Sequence, residues 1–222
     1  MSGYGQFCPV AVACEVLAER WTPLVLRELL CGSTRFNDLR RGLPQMSPSL
    51  LSKRLKTLER AGVVARDGSG YVLTDAGQEL RPLIEGLGVW GQRWSRGLLD
   101  DDKLDASLLL WDMHRRVDRG RLPDHRVVVA FVLRGSVDRR SHFWLVLDGA
   151  DVDLCVTDPG FDVDLTVNGH VRTLARYWSG RASLVDLVRT GELEVTGPRE
   201  LVRGFPTWFL RGAFAEVQPA SA

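Results

Sequence analysis

The stretch SPSLLSKRLKTLERAG, residues 47–62, decides how the first half of the chain is read. Ser47 is placed to cap a helix with its hydroxyl, and Pro48 suits a first helical position, where no N–H partner is required. Leu51, Leu55 and Leu58 fall on one face at helical spacing, while Ser49, Lys53, Lys56 and Arg60 project from the other. Gly62 supplies a C-terminal stop. A helix with a leucine seam and a basic, hydroxyl-bearing outer face has the layout needed to lie in a major groove. An ordinary solvated amphipathic helix shows the same pattern, so the flanking sequence has to decide between them.

Upstream, VAVACEVLAERW after Pro9 reads as a short helix with Val10, Ala13, Cys14 and Leu17 on its apolar face. Thr22 and Pro23 open a second helix, in which Leu24, Leu26, Leu29 and Leu30 are expected in the core, with Gly32 as its stop. A third helix starts near Arg35, and Pro44 closes it. Two helices joined by a short turn, the second basic outside and leucine-rich inside, make a helix-turn-helix. Downstream, Val63–Arg66 and Tyr71–Leu73 flank an Asp67-Gly68 turn and form a hairpin, placed where a wing would be. Thr74 and Asp75 then cap a long helix expected to run to about Leu98. Its stripe of Leu80, Leu83, Leu87, Trp90 and Trp94 suggests burial against a partner subunit, with Leu83, Leu87, Trp90 and Trp94 as the dimerisation candidates; cover by the second half of the chain is the alternative.

At 222 residues the chain has room for one large domain or two of about 100 residues. Its 45% hydrophobic and 26% charged residues suit a packed globular protein. The net charge of +1 is unevenly distributed: residues 1–98 hold 13 Lys/Arg against 9 Asp/Glu, and residues 99–222 hold 16 against 19. From Ser33 to Arg66 the balance is 8 basic to 2 acidic, which suits a polyanionic partner for this half alone. No run of 18 apolar residues and no basic-then-apolar leader is present, so the cytoplasm is the expected compartment. Cys8, Cys14, Cys31 and Cys155 lack metal-ligand or disulfide-framework spacing, and Cys14 and Cys31 read as core.

Cys8-Pro9 and Trp21, the segment GSTRFNDLRRGLPQMSPSLLSKRLKTLERAGVV (32–64) and YVLTDAGQELRPLIEGLGVW (71–90) together resemble the HxlR family of winged-helix regulators. The resemblance implies a bacterial, homodimeric, DNA-binding transcriptional regulator. By motif position Ser47, Ser49, Ser52, Lys53 and Lys56 would face DNA. Arg35, Arg40 and Arg41 are phosphate-anchoring candidates, as is Arg54, for which a structural salt bridge is equally in keeping; Arg66 is the wing's one basic residue. The wing is shorter than is usual in the family. Cys8 stands where some members carry a redox- or electrophile-sensing thiol, and sensing through Cys8 with a structural C-terminal half is the rival regulatory reading.

In the second half, Asp100-Asp101-Asp102 marks a boundary and is a candidate cap for a helix from Leu104 to about Val117. Strand-like runs at Arg126–Leu133, His142–Leu147, Asp151–Thr157 and Phe161–Val167 precede two short helices, a strand LEVTG and a closing helix. This order predicts an α+β domain built on antiparallel strands. The region from about residue 104 to 216 resembles the sterol carrier protein 2 (SCP2) fold, through its Asp-Leu-x-Val strand, the helix ending Trp178-Ser179-Gly180, a second helix, the later GELEVTG and a closing helix. The resemblance implies an apolar cavity for a hydrophobic small molecule, with Trp111, Phe131, Phe143, Leu145, Trp178, Phe205, Trp208 and Phe209 as candidate lining; the same aromatics fill a core equally well. A lipid-carrier function is the other rival. The expected organisation is a winged-helix domain at 1–98 and an SCP2-like domain at 99–222. No HExxH, GxSxG or P-loop points to an enzyme or a cofactor. The aspartates at 151, 153, 158, 162 and 164 read as a solvated face rather than a metal site.

Overall fold

The computed structural model describes residues 3–95, 97, 99–149 and 151–220. Its contacts divide the chain into two compact units, 1–88 and 89–222. Leu98, where the apolar stripe is expected to end, lies outside the described residues.

The first unit begins with α1 (Pro9–Leu17) and α2 (Thr22–Leu30), each with a proline in its first turn, where the missing N–H leaves no bond unmade. Trp21, ahead of α2, is held at φ 79°, a left-handed conformation that costs a side-chain-bearing residue about 1–2 kcal/mol. Then come α3 (Phe36–Arg41), α4 (Pro48–Arg60), and the antiparallel hairpin of β1 (Val64–Asp67) and β2 (Gly70–Leu73). Val25, Leu26, Leu29, Leu39, Leu43, Met46, Leu51, Leu55 and Leu58 form one buried cluster with Val63, Val64, Tyr71 and Ile84. Several expectations change over this part of the chain. Leu24 is exposed and Val25 takes its place in the core; Cys31, at the end of α2, is exposed and Cys14, on α1, is only half-buried, where both read as core. The expected long helix is two: α5 (Asp75–Gln78) and α6 (Arg81–Trp94), separated by a turn at Glu79-Leu80. Pro82 explains the break, because it has no N–H to offer the Gln78 carbonyl one turn back.

The second unit is α+β. A 3₁₀ turn at Asp101–Lys103 precedes α7 (Ala106–His114), and the cap is Asp105, whose carboxylate accepts from Leu108 N, rather than the expected acidic run before it. Strands β3 (Val127–Arg134), β4 (His142–Asp148), β5 (Asp151–Cys155), β6 (Leu165–His170) and β7 (Leu193–Thr196) form one sheet in the order β5-β4-β3-β6-β7. The sheet is mixed rather than wholly antiparallel: β6 lies parallel to β3, with Phe131 opposite Val167, because the chain from β5 crosses two strands before re-entering. β6 also starts later than expected, at Leu165. Helices α8 (Val171–Trp178), α9 (Leu184–Arg189) and α10 (Arg199–Gly204) follow, with a 3₁₀ turn at Phe205–Thr207. One alternate set of strand residues (Val127, Val129, Phe131, Leu133, Phe143, Leu145, Leu147, Leu165, Val167) packs with Leu110, Leu174, Leu187, Leu201 and Phe205 from the helices and the turn.

Candidate nucleic-acid interface

The outer face of α4 is built from both ends. Ser47 caps the helix, its Oγ accepting from Leu50 N at 3.3 Å and lying 3.2 Å from Ser49 Oγ. Leu51, Leu55 and Leu58 are 0%, 0% and 1% exposed. Burying each contributes about 1.5–3 kcal/mol, enough to fix which face of the helix points outward. On that outward face Ser49, Lys53 and Lys56 follow one another at helical spacing, all exposed, with Ser52 half-buried beside them. Arg60 is exposed at the far end. Arg35 and Arg40, at the two ends of α3, are exposed as well, and neither they nor Lys53, Lys56 and Arg60 are ion-paired among the described residues. Arg41 is exposed alongside them.

Two arginines of this region are committed to the protein itself. Arg54 forms an ion pair with Glu19 and donates to the Arg20 carbonyl at 3.2 Å, which ties α4 to the α1–α2 turn. Arg66 stacks on the Tyr71 ring at 4.3 Å and donates through Nε to Glu59 Oε1 at 3.3 Å. The wing's one cation is thus turned toward α4.

Further residues, which residue type and spacing alone do not mark for that role, hold this surface in shape. Glu28 is fully buried on α2, where its carboxylate accepts from Arg27 Nη2 at 2.6 Å and from Ser33 Oγ at 3.3 Å. Arg27 also donates to the Gly42 carbonyl at 3.0 Å, just past α3, and a Cβ on Gly42 would overlap the Glu28 carboxylate. A charged residue three positions after Val25, on the core face of α2, was the available signal. The Leu73-Thr74-x-x-Gly77 run has an equally concrete reason. Thr74 Oγ1 donates to the Gly62 carbonyl at 2.6 Å and accepts from Gly77 N at 3.2 Å, and a Cβ on Gly77 would overlap the Val63 carbonyl. Tyr71 N donates to the Thr34 carbonyl at 2.8 Å. The hairpin is therefore pinned at its base to the end of α4 and near its turn to the loop before α3.

The other candidates fall elsewhere. Cys8 is the half-buried N-cap residue of α1 and carries a free thiol. Leu83, Leu87, Trp90 and Trp94 all lie on α6 and are 49%, 52%, 65% and 57% exposed. In the second unit, Trp111, Phe131, Phe143, Leu145, Phe205, Trp208 and Phe209 are buried in one cluster with Trp178 packed against it. Phe205 meets Phe131, Trp208 and Phe209 with ring centroids 6.3, 5.9 and 5.3 Å apart, so these aromatics are packed largely on one another. Asp151, Asp153, Asp158 and Asp162 are exposed, and no group of three or more potential metal ligands occurs among the described residues.

Three short helices, a capped basic helix and a two-stranded hairpin pinned behind it define a winged helix-turn-helix domain, the architecture of DNA-binding regulators. Residues 16–97 match the HxlR-like helix-turn-helix family. The HTH-type transcriptional regulator YvaP of Bacillus subtilis is 38% identical over 97 residues, spanning 40% of this chain and 90% of its own length. The Synechocystis regulator sll1512 is 33% identical over 112 residues, 47% of this chain and 80% of that one. Among solved structures, quinone-bound YodB from Bacillus subtilis shares 32% identity over 38% of this chain and 97% of that chain, with a TM-score of 0.36. The chain belongs to the HxlR-like helix-turn-helix transcriptional regulators.

Proposed function

We propose that this regulator reads DNA through the outward face of α4, as a dimer whose two copies of α4 enter successive major grooves about 34–36 Å apart. The observation that carries this reading is the pairing pattern of the cations. Lys53 and Lys56 stand exposed and without an ion pair among the described residues, on the face opposite the leucine seam, whereas Arg54 is tied to Glu19 and Arg66 to Glu59. Ser47, Ser49 and Ser52 add hydroxyls that serve bases or phosphates. Arg35, Arg40 and Arg41 would anchor phosphates. Arg66, already engaged, contributes less than its place in the wing suggests.

The test is quantitative. Genome-wide mapping of bound sites supplies the operator, and Lys53→Ala or Lys56→Ala is expected to weaken binding to it by about 1–3 kcal/mol where the lysine reads a base. Full operator affinity in the double variant would falsify the assignment of this face.

The dimer is supported by α6. Four large apolar side chains more than 45% exposed at positions 83, 87, 90 and 94 are a stripe that a lone chain leaves in water. Leu87→Glu is expected to shift sedimentation of the protein from dimer to monomer and to weaken operator binding with it. A dimer of unchanged affinity in that variant places the interface elsewhere.

For residues 99–222 the SCP2-like assignment is supported by the five-stranded sheet, its helices and its closing aromatic turn. Mutual packing of Phe131, Phe205, Trp208 and Phe209 favours a filled core over an effector cavity among these side chains. Regulation through Cys8 predicts that Cys8→Ser abolishes any response of DNA binding to oxidants or quinones; an intact response in Cys8→Ser rejects it. With no helix among the described residues long and apolar enough to cross a membrane, the cytoplasm is the compartment we assign to a protein that meets chromosomal DNA.

A further inference from the structure

Several arginines of the second unit are ion-paired where they stand. Arg121 pairs with Asp118, Arg126 with Asp148, Arg172 with Asp101, Arg176 with Glu192 and Arg189 with Asp186. The loop between β3 and β4 gathers three that are not. Arg134, Arg139 and Arg140 are all exposed within seven residues, and none of the three is ion-paired among the described residues. The loop's one acid, Asp138, faces inward. Its Oδ1 accepts from Ser136 Oγ at 2.5 Å and from Arg140 N at 3.2 Å, and its Oδ2 accepts from Ser107 Oγ at 2.5 Å. Among the described residues Arg140 Nη1 reaches the Ser107 hydroxyl, at 3.5 Å, and its charge also acts on the buried Asp105 carboxylate.

The loop is also fixed in place. Val137 N donates to the Leu104 carbonyl at 2.9 Å, and Ala106 N donates to Ser136 Oγ at 2.8 Å, so the tip is bound at two points to the start of α7. Three cations on an anchored hairpin end lose less freedom on meeting a polyanion than three on a mobile tail. Arginine suits phosphate by geometry as well as by charge.

We propose that the Arg134–Arg140 hairpin end is a second DNA contact, binding the phosphate backbone without reading sequence. This inference rests on the DNA-binding function of α4 and extends it to a unit whose overall charge is otherwise acidic. Backbone contacts of this kind release counterions, so they are counted by the salt dependence of binding.

The experiment uses the full-length protein and a 40-base-pair duplex of mixed sequence, with affinity followed by fluorescence anisotropy from 50 to 200 mM KCl. In Arg134→Gln/Arg139→Gln/Arg140→Gln the slope of log K against log salt is expected to be shallower by about 2.7, the value for three lost phosphate contacts. A slope equal to wild type, in a variant whose circular dichroism and melting are unchanged, overturns the proposal. Lys53→Ala/Lys56→Ala is run in parallel. If that variant weakens binding while the triple arginine variant leaves the slope alone, only the second contact fails. If the wild type shows no salt-dependent binding at all, the reading of α4 falls and this contact with it.

Discussion

Replacing Glu28 by alanine is expected to destabilise the first unit by about 3–5 kcal/mol, the usual result of removing one partner from a buried ion pair. Glu28 is fully buried, and its loss leaves the Arg27 guanidinium and the Ser33 hydroxyl without the acceptor they now share. Arg27 is one-third exposed and recovers part of its hydration, which places the outcome toward the lower end of that range. For a unit of this size, a loss of about 3 kcal/mol corresponds to a melting temperature lower by roughly 12–24 °C. Glu28→Gln keeps the volume and the acceptor oxygen while removing the charge, so it should lose about half as much. The effect extends beyond α2 because Arg27 also holds the Gly42 carbonyl at the end of α3. Calorimetry on the full chain, with the transition of the first unit resolved from that of the second, checks the prediction. A loss under about 1 kcal/mol in Glu28→Ala means that water already compensates this site.

How far the sequence reveals these features depends on the range of the interactions that make them. The cap at Ser47, the prolines at helix starts, the Asp-Gly turn of the hairpin and the leucine seam of α4 are set by neighbours within one turn, and they were legible as residue types at fixed spacing. The break between α5 and α6 was legible too, in Pro82, but the apolar periodicity running across it masked the local signal. Glu28 is another matter. Its carboxylate is made tolerable by Ser33 and by Arg27, which links on to the Gly42 carbonyl, and only the folded chain brings that loop to α2. The parallel pairing of β6 with β3 is likewise a consequence of where a crossing chain re-enters the sheet, which strand propensity does not encode.

The candidate interface divides along the same line. The exposure of Lys53 and Lys56 follows from their place opposite the leucines, so sequence periodicity predicts it. The withdrawal of Arg54 and Arg66 does not follow from periodicity. It depends on Glu19, across the α1–α2 turn, and on Glu59 and Tyr71, brought alongside by the hairpin. A charge count over residues 33–66 therefore does not tell which cations have partners within the protein. Arg54 braces the helix that carries Lys53 and Lys56, while Arg66 remains exposed beside its end.

Phe205→Ala is the substitution that separates a packed second unit from one built around a ligand cavity. Phe205 is fully buried at the start of the closing turn and touches Phe131 in the sheet as well as Trp208 and Phe209 beyond it. If these rings pack directly on one another in solution, truncation opens a void that the rigid sheet cannot close, and the second unit loses about 3–5 kcal/mol. If a cavity already separates them, the ring contributes fewer contacts and the loss falls below about 2 kcal/mol. The void gives a second readout. An apolar space left by a phenyl group stays dry and takes up benzene or xenon, so added benzene should raise the melting temperature of Phe205→Ala and leave wild type unchanged. Stabilisation of the wild type by benzene or by a longer apolar ligand would reverse the conclusion and make the same aromatics an effector site. A core that is already full has no differential affinity to offer such a ligand and cannot couple its binding to DNA.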